Sequence, residues 1–459
     1  MNRLLSTIVP QDSRLRSLVR WVRYQIAIRE RTSSVEALGS ILSKAPLNSD
    51  SKETLEALLL ENITPFWMAK AIDERHGGYH LNHDITGNDL GECRKFVISQ
   101  ARMTWFFSAL SRSRYGTSEH RTAARHGYLL LANGFHDKLH GGYFWSIDPS
   151  NAAGSNTDDG YWQRKDLCAQ AFVLYALSEY ALATEDQDAA EDAASLYALL
   201  ESRTHDPILP GYLELFERDW TPASAEVLNY HSSLTADSKS FSCHVHLLEA
   251  LTTYYELNQE DSVRTTLTKL LDIICNRLFH GSNALLTNVH RRDWQPDLSH
   301  DGNHANYGHQ LELIWMLLKV VRVSGKDIAE YESLFESIFA GSVLRGMDEK
   351  QGGFYCGGPY GTRAKNLSKV WWVQAESLLC CLHLYVSYQK EEYADCFNKT
   401  LQWIVAHQVD WENGEWFQSI DPTGKPAGLK ADRWKAAYHS GRAVLHGLSL
   451  LDARRTSLS

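Results

Sequence analysis

The stretch His140-Gly141-Gly142-Tyr143-Phe144-Trp145 sets the period of this 459-residue chain, because related turns return along the sequence. The other copies are His76-Gly77-Gly78-Tyr79, Pro210-Gly211-Tyr212, Gln351-Gly352-Gly353-Phe354-Tyr355 and Asn413-Gly414-Glu415-Trp416-Phe417. The glycines at positions 78, 142, 211, 353 and 414 are 64, 69, 142 and 61 residues apart, so one copy is missing. We expect a degenerate turn near Gly281-Ser282-Asn283. The spacing indicates six repeating units of about sixty to seventy residues.

Two helical patterns lie between successive turns. Apolar residues recur at helical spacing over 96–115 and 117–136, 166–183 and 186–203, 241–257 and 260–278, 308–323 and 327–340, and 371–388 and 391–409. Six antiparallel pairs of this kind can close into a ring with one helix of each pair inside. We therefore predict an all-α (α/α)6 barrel of six helix hairpins with short β turns at one end. An open solenoid is the alternative, disfavoured because the terminal units carry no obvious polar cap.

The first 31 residues are rich in arginine and contain just two acidic residues, Asp12 and Glu30. We interpret this segment as an extra amphipathic helix packed on the domain surface, with an organellar presequence as the alternative. The chain is thus expected to divide into an N-terminal extension, residues 1–44, and a single catalytic barrel domain, residues 45–459.

The composition disfavours several functional classes. Lysine and arginine number 46 against 56 acidic residues, for a net charge of -10, so the basic surface of a nucleic-acid-binding protein is not expected. No run of about 18 apolar residues was found that would span a bilayer, so no membrane partner is expected. Eight scattered cysteines without a CxxC pair predict reduced thiols in a cytoplasmic protein. We expect a monomer or homodimer that binds a small, weakly charged molecule.

A histidine and a carboxylate, His309 and Glu312, lie one helical turn apart at the start of an apolar helix. At that spacing the carboxylate is expected to orient the imidazole and raise its pKa towards neutrality. His439, 130 residues downstream, is also delivered by a loop to a helix start. Two such histidines facing one pocket suit a reaction in which a proton leaves and re-enters a carbon acid. For either histidine alone, a capping role is the alternative.

Arg102 stands in an otherwise apolar helix, with Trp105 and Phe106 one turn further on. A buried arginine requires an anion or several hydrogen-bond acceptors. Arg102 therefore forms either a structural ion pair or a fixed cation that stabilises a developing oxyanion on a substrate.

A second His-x-x-Glu pattern places His246 and Glu249 on one helix face. His244 cannot share that face, because residues two apart on a helix point about 200° apart. A metal site is the alternative, but this spacing is not a specific metal signature, and we predict no metal ion.

Trp372 and Glu376 also share a helix face. An indole beside a carboxylate suits a pyranose ring, which needs a stacking surface and acceptors for its hydroxyl groups. Trp434, close to His439 in sequence, offers a second stacking surface. The alternative is that these tryptophans, two of 14 in the chain, only pack the core.

In these residues the chain resembles the N-acylglucosamine 2-epimerase superfamily, most closely its cellobiose 2-epimerase and mannose 2-epimerase branch. The resemblance runs from about Phe66 to Leu451. It is carried by Phe66-Trp67, the glycine-aromatic turns, Gln100-Ala101-Arg102, His244-x-His246-x-x-Glu249, Gly308-His309-x-x-Glu312, Trp371-Trp372-x-Gln374-Ala375-Glu376 and Trp434-Lys435-x-x-Tyr438-His439-x-x-Arg442. It implies an (α/α)6 barrel that epimerises or isomerises an aldose at C2 without a metal or cofactor.

The resemblance also implies roles for individual residues. His309 and His439 would be acid/base catalysts on opposite faces of the substrate, and Arg102 would stabilise a cis-enediolate. His246 and Glu312 would assist ring opening and polarisation. The residues expected to bind the sugar are Trp372, Glu376, Trp434, His244 and Ser242.

The chain departs from the family pattern at three positions: Ser242 replaces an expected Asn, Gln310 an Asp and Ala437 a Pro. The shorter Ser242 is expected to change substrate identity more than mechanism. The sequence thus predicts a sugar 2-epimerase for D-glucose/D-mannose-type aldoses, free or at the reducing end of β-1,4 disaccharides such as cellobiose. An aldose-ketose isomerase of the mannose/fructose type would use the same residues. An inverting glycoside hydrolase using Glu312, Glu376 or Asp166 is the more distant alternative.

Overall fold

The computed structural model describes residues 37–38, 41–91, 94–148, 163–223, 227–228, 233–234, 238–278, 286–297 and 304–458. The predicted amphipathic helix in the first 31 residues and the predicted turn at Gly281-Ser282-Asn283 lie outside the described residues. The boundary at residue 44 stays a prediction. Residues close to it contact the barrel, because the backbone N–H of Ser43 donates to Asp395 Oδ2 at 3.0 Å and Leu42 is buried in the core.

Helices form most of the described chain. In chain order they are α1 (Ser51–Ala57), α2 (Thr64–Lys70), α3 (Val97–Arg112), α4 (Ser118–Leu130), α5 (Leu167–Thr184), α6 (Gln187–Arg203), α7 (Phe241–Asn258), α8 (Asp261–Ile273), α9 (Tyr307–Val323), α10 (Glu332–Gly346), α11 (Trp371–Tyr388), α12 (Glu391–Trp403) and α13 (Tyr438–Leu458). Wider π-helical turns join α1 to α2 (Leu58–Ile63) and extend α4 (Leu131–Phe135), α8 (Ile274–Leu278) and α12 (Ile404–Gln408), and a 3-10 turn (Ile328–Tyr331) precedes α10.

The helices close into a ring. The odd-numbered helices from α3 to α13 each pack on the next, and α13 packs on α3. The even-numbered helices from α4 to α12 each pack outside the inner helix that precedes them in the chain, and α1 with its π-helical turn packs on α13. The (α/α)6 barrel is therefore confirmed, and the open solenoid is excluded, because the N-terminal helices supply the outer partner of the last inner helix.

Short strands connect the hairpins. They are β1 (Lys95–Phe96), β2 (Ser146–Ile147), β3 (Lys165–Asp166), β4 (Leu215–Phe216), β5 (Val227–Leu228), β6 (Ser233–Leu234), β7 (Ser238–Ser240), β8 (Val289–Arg291), β9 (His304–Asn306), β10 (Gly357–Pro359), β11 (Lys369–Val370), β12 (Ser419–Ile420) and β13 (Pro426–Ala427). The antiparallel pairs are β1–β2, β3–β4, β5–β6, β7–β8, β9–β10, β11–β12 and β12–β13. Since β1, β3, β7, β9 and β11 each lead directly into an inner helix, the strand pairs gather the inner-helix N-termini at one end of the barrel.

A repeated amide clamp holds the glycine-aromatic turns. Gln100 accepts from the backbone N–H of Tyr79 and donates to its carbonyl, both at 2.8 Å. Gln170 holds Tyr143 and Gln374 holds Phe354 in the same way. Gln310 holds Leu286 likewise, at 2.9 and 2.8 Å, so Leu286 occupies the aromatic position of the missing copy, the fourth in chain order. The Gly-Gly pair is needed because Gly78 has φ +64° and a Cβ there would lie 2.6 Å from Gln100 Oε1.

The sixth turn closes the ring with a charge. Glu415 takes the place of the second glycine, with φ 57°. Its buried carboxylate accepts from Trp67 Nε1 at 2.6 Å on α2, and from Lys435 Nζ at 3.2 Å and Ser440 Oγ at 2.9 Å at the start of α13. A buried ion pair within the last part of the barrel, Glu415–Lys435, is therefore hydrogen-bonded to the first part through Trp67.

Helix α5 is long and apolar enough to cross a membrane by length and composition, which the sequence prediction overlooked. In the barrel it is an inner helix with 89 % of its residues buried. Its composition is thus explained by packing on α3 and α7.

Candidate active site

Two predicted histidines meet at one tryptophan. His309 lies in the first turn of α9, where Asn306 Oδ1 accepts from its backbone N–H. The ring centroid of His309 is 4.7 Å from that of Trp372, and that of His439 is 5.7 Å from the same indole. His309 is partly exposed, whereas His439 is buried. Trp372 is therefore a shared wall of one site that holds both imidazoles.

A fully buried guanidinium, Arg442, binds three carboxylates beside the histidines. Its Nη2 donates to Glu312 Oε1 and Glu376 Oε1, both at 2.7 Å. Its Nη1 donates to Glu249 Oε1 and also contacts the Tyr438 hydroxyl. These side chains come from α7, α9, α11 and α13. Because an unpaired buried charge is costly, each carboxylate depends on the guanidinium they share.

Glu376 orients His439. Its Oε1 lies 2.7 Å from His439 Nδ1, and its Oε2 accepts from Trp315 Nε1 at 2.9 Å. Both carboxylate oxygens are therefore engaged, and the side chain is fully buried. The expectation that Glu376 binds the sugar is corrected, since its role is to hold His439 with Nδ1 towards the carboxylate, which leaves Nε2 for chemistry.

The expected effect of Glu312 on His309 is wrong. Although part of the His309 side chain is exposed, loss of hydration inside the barrel, together with the neighbouring His246, lowers its pKa to about 3, and the carboxylate that opposes this shift is Glu376. Glu312 turns instead to Arg442, and burial together with the nearby Glu376 raises the pKa of Glu312 to about 8. The His309–Glu312 spacing was correct for a shared helix face, but a guanidinium from another helix takes the carboxylate.

The imidazoles of His246 and His439 are neutral at pH 7 as well. Burial lowers the pKa of His246, and lowers that of His439 well below its ordinary value. The Arg102 cation adds to the lowering for His246, His309 and His439, which places it within electrostatic reach of all three. Neutral imidazoles can each accept a proton, as a base requires.

Arg102 lies between aromatic faces. Its guanidinium carbon is 4.4 Å from the Phe172 ring centroid and 4.9 Å from that of Tyr438. Its Nη1 donates to the Trp434 carbonyl at 3.1 Å. These contacts hold a permanent cation, 1 % exposed, next to the three imidazoles.

His246 and Glu249 share a helix face, as predicted, with His246 Nδ1 at 3.6 Å from Glu249 Oε2. The His246 ring also packs on Phe172 at 4.6 Å between centroids. Tyr438 donates to the same Glu249 oxygen at 2.6 Å. His246 is thus tied to both Arg102, through Phe172, and the Arg442 cluster, through Glu249.

His244 does not face this site. It is fully buried, its Nε2 accepts from the backbone N–H of Tyr212 at 3.1 Å, and its Nδ1 donates to the Ser240 carbonyl at 2.9 Å. His244 therefore replaces the clamping glutamine of the other repeats, and its assignment as a sugar-binding residue is corrected. Ser242 lies one turn before His246 on the same face of α7, and its buried Oγ has no hydrogen-bond partner among the described residues.

Trp434 lines a cleft on another side of Arg102 from the two histidines. It borders a cleft of about 540 Å³ together with Phe96, Ser99 and Arg433. The Arg433 guanidinium carbon lies 5.2 Å from the Trp434 ring centroid. Trp434 thus faces a cleft next to Arg102, while Trp372 faces the histidines.

The ligand atoms of Glu312, Glu376 and His439 lie within 4.8 Å of one another, a spacing that could hold a metal ion. The Arg442 guanidinium already binds both carboxyl groups, each at 2.7 Å. The chemistry of this set is therefore that of an ion cluster organised by arginine.

A sequence model of the N-acylglucosamine 2-epimerase family matches residues 77–443, which include every site residue described above. The chain belongs to this family. Its members named below are carbohydrate epimerases and isomerases, so the chain is an enzyme of that class.

Relatives of known activity align with this chain over nearly their whole length. A cellobiose 2-epimerase of Bacteroides fragilis is 28 % identical over 86 % of this chain and 97 % of its own. A D-mannose isomerase of Marinomonas mediterranea is 25 % identical over 88 % of this chain and 98 % of its own. The solved structure of the cellobiose 2-epimerase of Spirochaeta thermophila superposes with a TM-score of 0.78 at 29 % identity, covering 88 % of this chain and 96 % of its own.

Sequence reasoning missed the centre of the site. Arg442 ends the motif that contains His439, but the sequence alone assigns it no role, although it is an arginine in an apolar helix like Arg102. Trp315 and Phe172, which hold Glu376 and Arg102, resemble ordinary core residues in the sequence. Their partners lie on other helices, so local spacing could not indicate them.

Acid should destabilise this family member. The pKa values of His309 and His383 lie near 3 in the folded chain, against the ordinary 6.5. Between pH 6.5 and 3 the unfolded chain binds more protons, so each such histidine lowers the free energy of unfolding by up to about 1.4 kcal/mol per pH unit as the pH falls. His439 and His446 act in the same direction, and Glu312, whose pKa is raised, opposes them.

We expect urea denaturation at pH 7, 6 and 5 to show that the free energy of unfolding decreases as the pH falls. His383→Gln should reduce the slope by about the contribution of one proton. A free energy of unfolding that stays constant or increases from pH 7 to pH 5 would contradict the neutral state of these imidazoles.

Proposed function

We propose that this protein is a sugar 2-epimerase that interconverts aldoses of the D-glucose/D-mannose type, free or at the reducing end of β-1,4 disaccharides. The observation that carries the proposal is the pair of imidazoles, His309 and His439, on the single indole of Trp372, with a buried Arg102 within electrostatic reach. Two bases and one fixed cation are what reversible proton exchange at C2 of an open-chain aldose requires.

The chemistry begins with a neutral imidazole that removes the C2 proton of the ring-opened sugar. The electron pair moves onto the C1 oxygen, and the resulting cis-enediolate is stabilised by the Arg102 cation. Rotation about C2–C3 presents the other face. The second imidazole then returns a proton to C2, and the electron pair reforms the C1 carbonyl.

The returning imidazole must carry a proton at that stage. The Glu312–Glu376 pair retains one near pH 7, because burial raises the pKa of both carboxyl groups. Since Glu376 Oε1 lies 2.7 Å from His439 Nδ1, the carboxyl proton passes to Nδ1 as Nε2 gives its own proton to C2. The first imidazole then releases the proton that it removed, and solvent restores the carboxyl proton.

The substrate class is supported by the relatives and by the aromatic walls. Trp372 and Trp434 offer two stacking surfaces, as a sugar with one or two rings requires. The relatives named cellobiose 2-epimerase support a disaccharide or monosaccharide 2-epimerase. The second candidate is an aldose-ketose isomerase, in which the proton returns to C1 and gives a ketose. The relative named D-mannose isomerase supports it.

A glycoside hydrolase is less well supported by this geometry. Glu312 and Glu376 are both bound to Arg442, and Asp166 accepts from the Ala169 N–H at 2.9 Å as the cap of α5. None of these carboxyl groups stands as one of a pair flanking an open cleft.

The proposal also covers the location, oligomeric state and partners of the protein. The seven cysteines in the described part of the chain are free thiols, which supports a cytoplasmic protein. We retain a monomer or homodimer acting on a sugar alone, without a nucleic acid or membrane partner.

Glucose, mannose and cellobiose incubated with the protein in D2O and followed by NMR test the proposal. Deuterium at C2 of the epimer is the expected result. Label at C1 of fructose would identify the isomerase instead, and release of glucose from cellobiose would identify a hydrolase. No exchange with any of the three sugars would overturn both proton-transfer candidates.

Gly308→Ala should lower kcat/KM by about tenfold or more while the fold persists. An added Cβ would lie 2.6 Å from Trp372 Cζ3 and 3.0 Å from Val373 Cγ2, so the indole that lines both histidines must move. Alanine favours the helix itself by up to about 1 kcal/mol, so the thermal midpoint should change little. Gly447→Ala on α13 is the matched control, because its Cβ would meet only the flexible ends of Leu55 and Leu382. Equal activity of both variants would contradict the placement of Trp372.

A further inference from the structure

A second cavity lies at the opposite end of the barrel from the catalytic histidines. Its volume is about 480 Å³, and all six inner helices line it. One lining residue from each, in chain order, is Arg112, Glu179, Thr253, Lys319, His383 and His446. None of them belongs to the proton-transfer site.

The wall of this cavity carries an unsatisfied imidazole. His383 is 5 % exposed and stacks on Trp315, with ring centroids 5.7 Å apart and planes 16° apart. Neither ring nitrogen has a hydrogen-bond partner among the described residues. Buried polar atoms are normally paired, and both nitrogens are covered from solvent, so a ligand in the cavity would bond to one of them once the His383 ring turns towards it.

The charges around the cavity favour an anion. Arg112 is compensated, because it donates to Glu179 and Glu256, each at 2.8 Å. Lys319 has no ion-pair partner in the part of the chain that the structure describes, and Arg322 donates to the uncharged Ser387 Oγ at 2.7 Å. The rim thus holds three cations against two carboxylates, a net charge of +1, and the two cations that form no ion pair with these carboxylates stand on the same helix, α9.

We propose that this cavity binds a small oxyanion, either inorganic phosphate or the phosphoryl group of a small metabolite, between Lys319, Arg322 and His383. The oxyanion would accept from the ammonium and the guanidinium at the rim and, with the His383 ring turned towards the cavity, from one imidazole N–H. A phosphate group suits this set because its several oxygens can accept from all three donors at once.

The site borders the catalytic machinery. The indole of Trp315 stacks on His383 on one side, and its Nε1 donates to Glu376, which holds His439. Trp315 therefore links His383 on the cavity wall to Glu376 in the proposed active site. Binding can be measured without turnover, so it stands or fails independently of the proposed function.

Isothermal titration calorimetry with inorganic phosphate, and separately with glycerol 3-phosphate, tests the site at constant ionic strength set with chloride. We expect one site in the wild-type chain and at least tenfold weaker binding in Lys319→Gln. Tighter binding of phosphate would identify a free anion, and tighter binding of the ester a metabolite phosphoryl group; both support the proposal. Lys326→Gln, which removes a lysine from the connection that follows α9, should bind as the wild type does.

Circular dichroism and the activity without added anion should be unchanged in Lys319→Gln, which shows that the variant is folded. Arg102→Gln distinguishes the two ends of the barrel. The proposal is overturned if neither probe binds the wild type, if Lys319→Gln binds equally well, or if Arg102→Gln abolishes binding that Lys319→Gln retains.

Discussion

Replacing His439 by asparagine is expected to lower kcat by about 10³-fold, within the range that a positioned acid/base contributes. Asparagine can still donate to Glu376 from its amide, so the buried carboxylate keeps a partner and the fold should persist. What is lost is the imidazole nitrogen that exchanges a proton with C2. His309→Asn should cause a loss of similar size. Initial rates with mannose and cellobiose measure both effects.

Isotope exchange makes this prediction sharper than rates alone. If His309 and His439 serve opposite faces of the enediolate, each single variant should still exchange the C2 proton of one epimer with D2O while forming little of the other. The two variants should then prefer opposite epimers. His205→Asn, an exposed histidine paired with Glu201, is the control and should behave as the wild type does. Wild-type turnover by either His309→Asn or His439→Asn would refute the two-base mechanism.

The repeat made the fold predictable. A glycine-aromatic turn of fixed spacing, followed each time by two amphipathic segments, leaves few arrangements other than a ring or a solenoid. The last turn carries a residue that joins the two ends of the ring, since Glu415 replaces a glycine there and binds Trp67 of α2. That substitution was visible in the sequence, but its partner lies 348 residues away.

The site was predictable only where local spacing decides the contact. His246 and Glu249 face each other because residues three apart on a helix share a face. His309 and Glu312 have the same spacing, yet Arg442 from α13 binds Glu312, because a permanent buried cation attracts a carboxyl oxygen more strongly than a neutral imidazole does. His244 could have been recognised as structural, since it takes the repeat position of Gln170 and Gln310. Such contacts across the ring are set by tertiary packing, which helical periodicity does not encode.

Arg442→Met is expected to lower the free energy of unfolding at pH 7 by about 3–5 kcal/mol, the cost of leaving buried charges unpaired. Methionine retains much of the aliphatic volume, so the loss comes from the charge. Glu249 is the carboxylate most affected, because the Arg442 cation holds its pKa well below the ordinary value in the folded chain. Urea denaturation of the wild type and the variant measures the difference.

Two further measurements separate charge from packing. In Arg442→Met the carboxyl groups should take up protons as the pH falls, because without the cation their folded pKa rises above the unfolded value. The deficit relative to the wild type should therefore shrink between pH 7 and 5, whereas a packing defect would persist unchanged. Glu312→Gln is the matched control: Glu312 already holds a proton at pH 7, since its pKa is raised to about 8, and glutamine keeps an acceptor for Arg442. It should cost less than about 1 kcal/mol, in the range of a single neutral hydrogen bond. An equal cost for both variants would mean that Glu312 is ionised and that the three carboxylates share Arg442 as full charges.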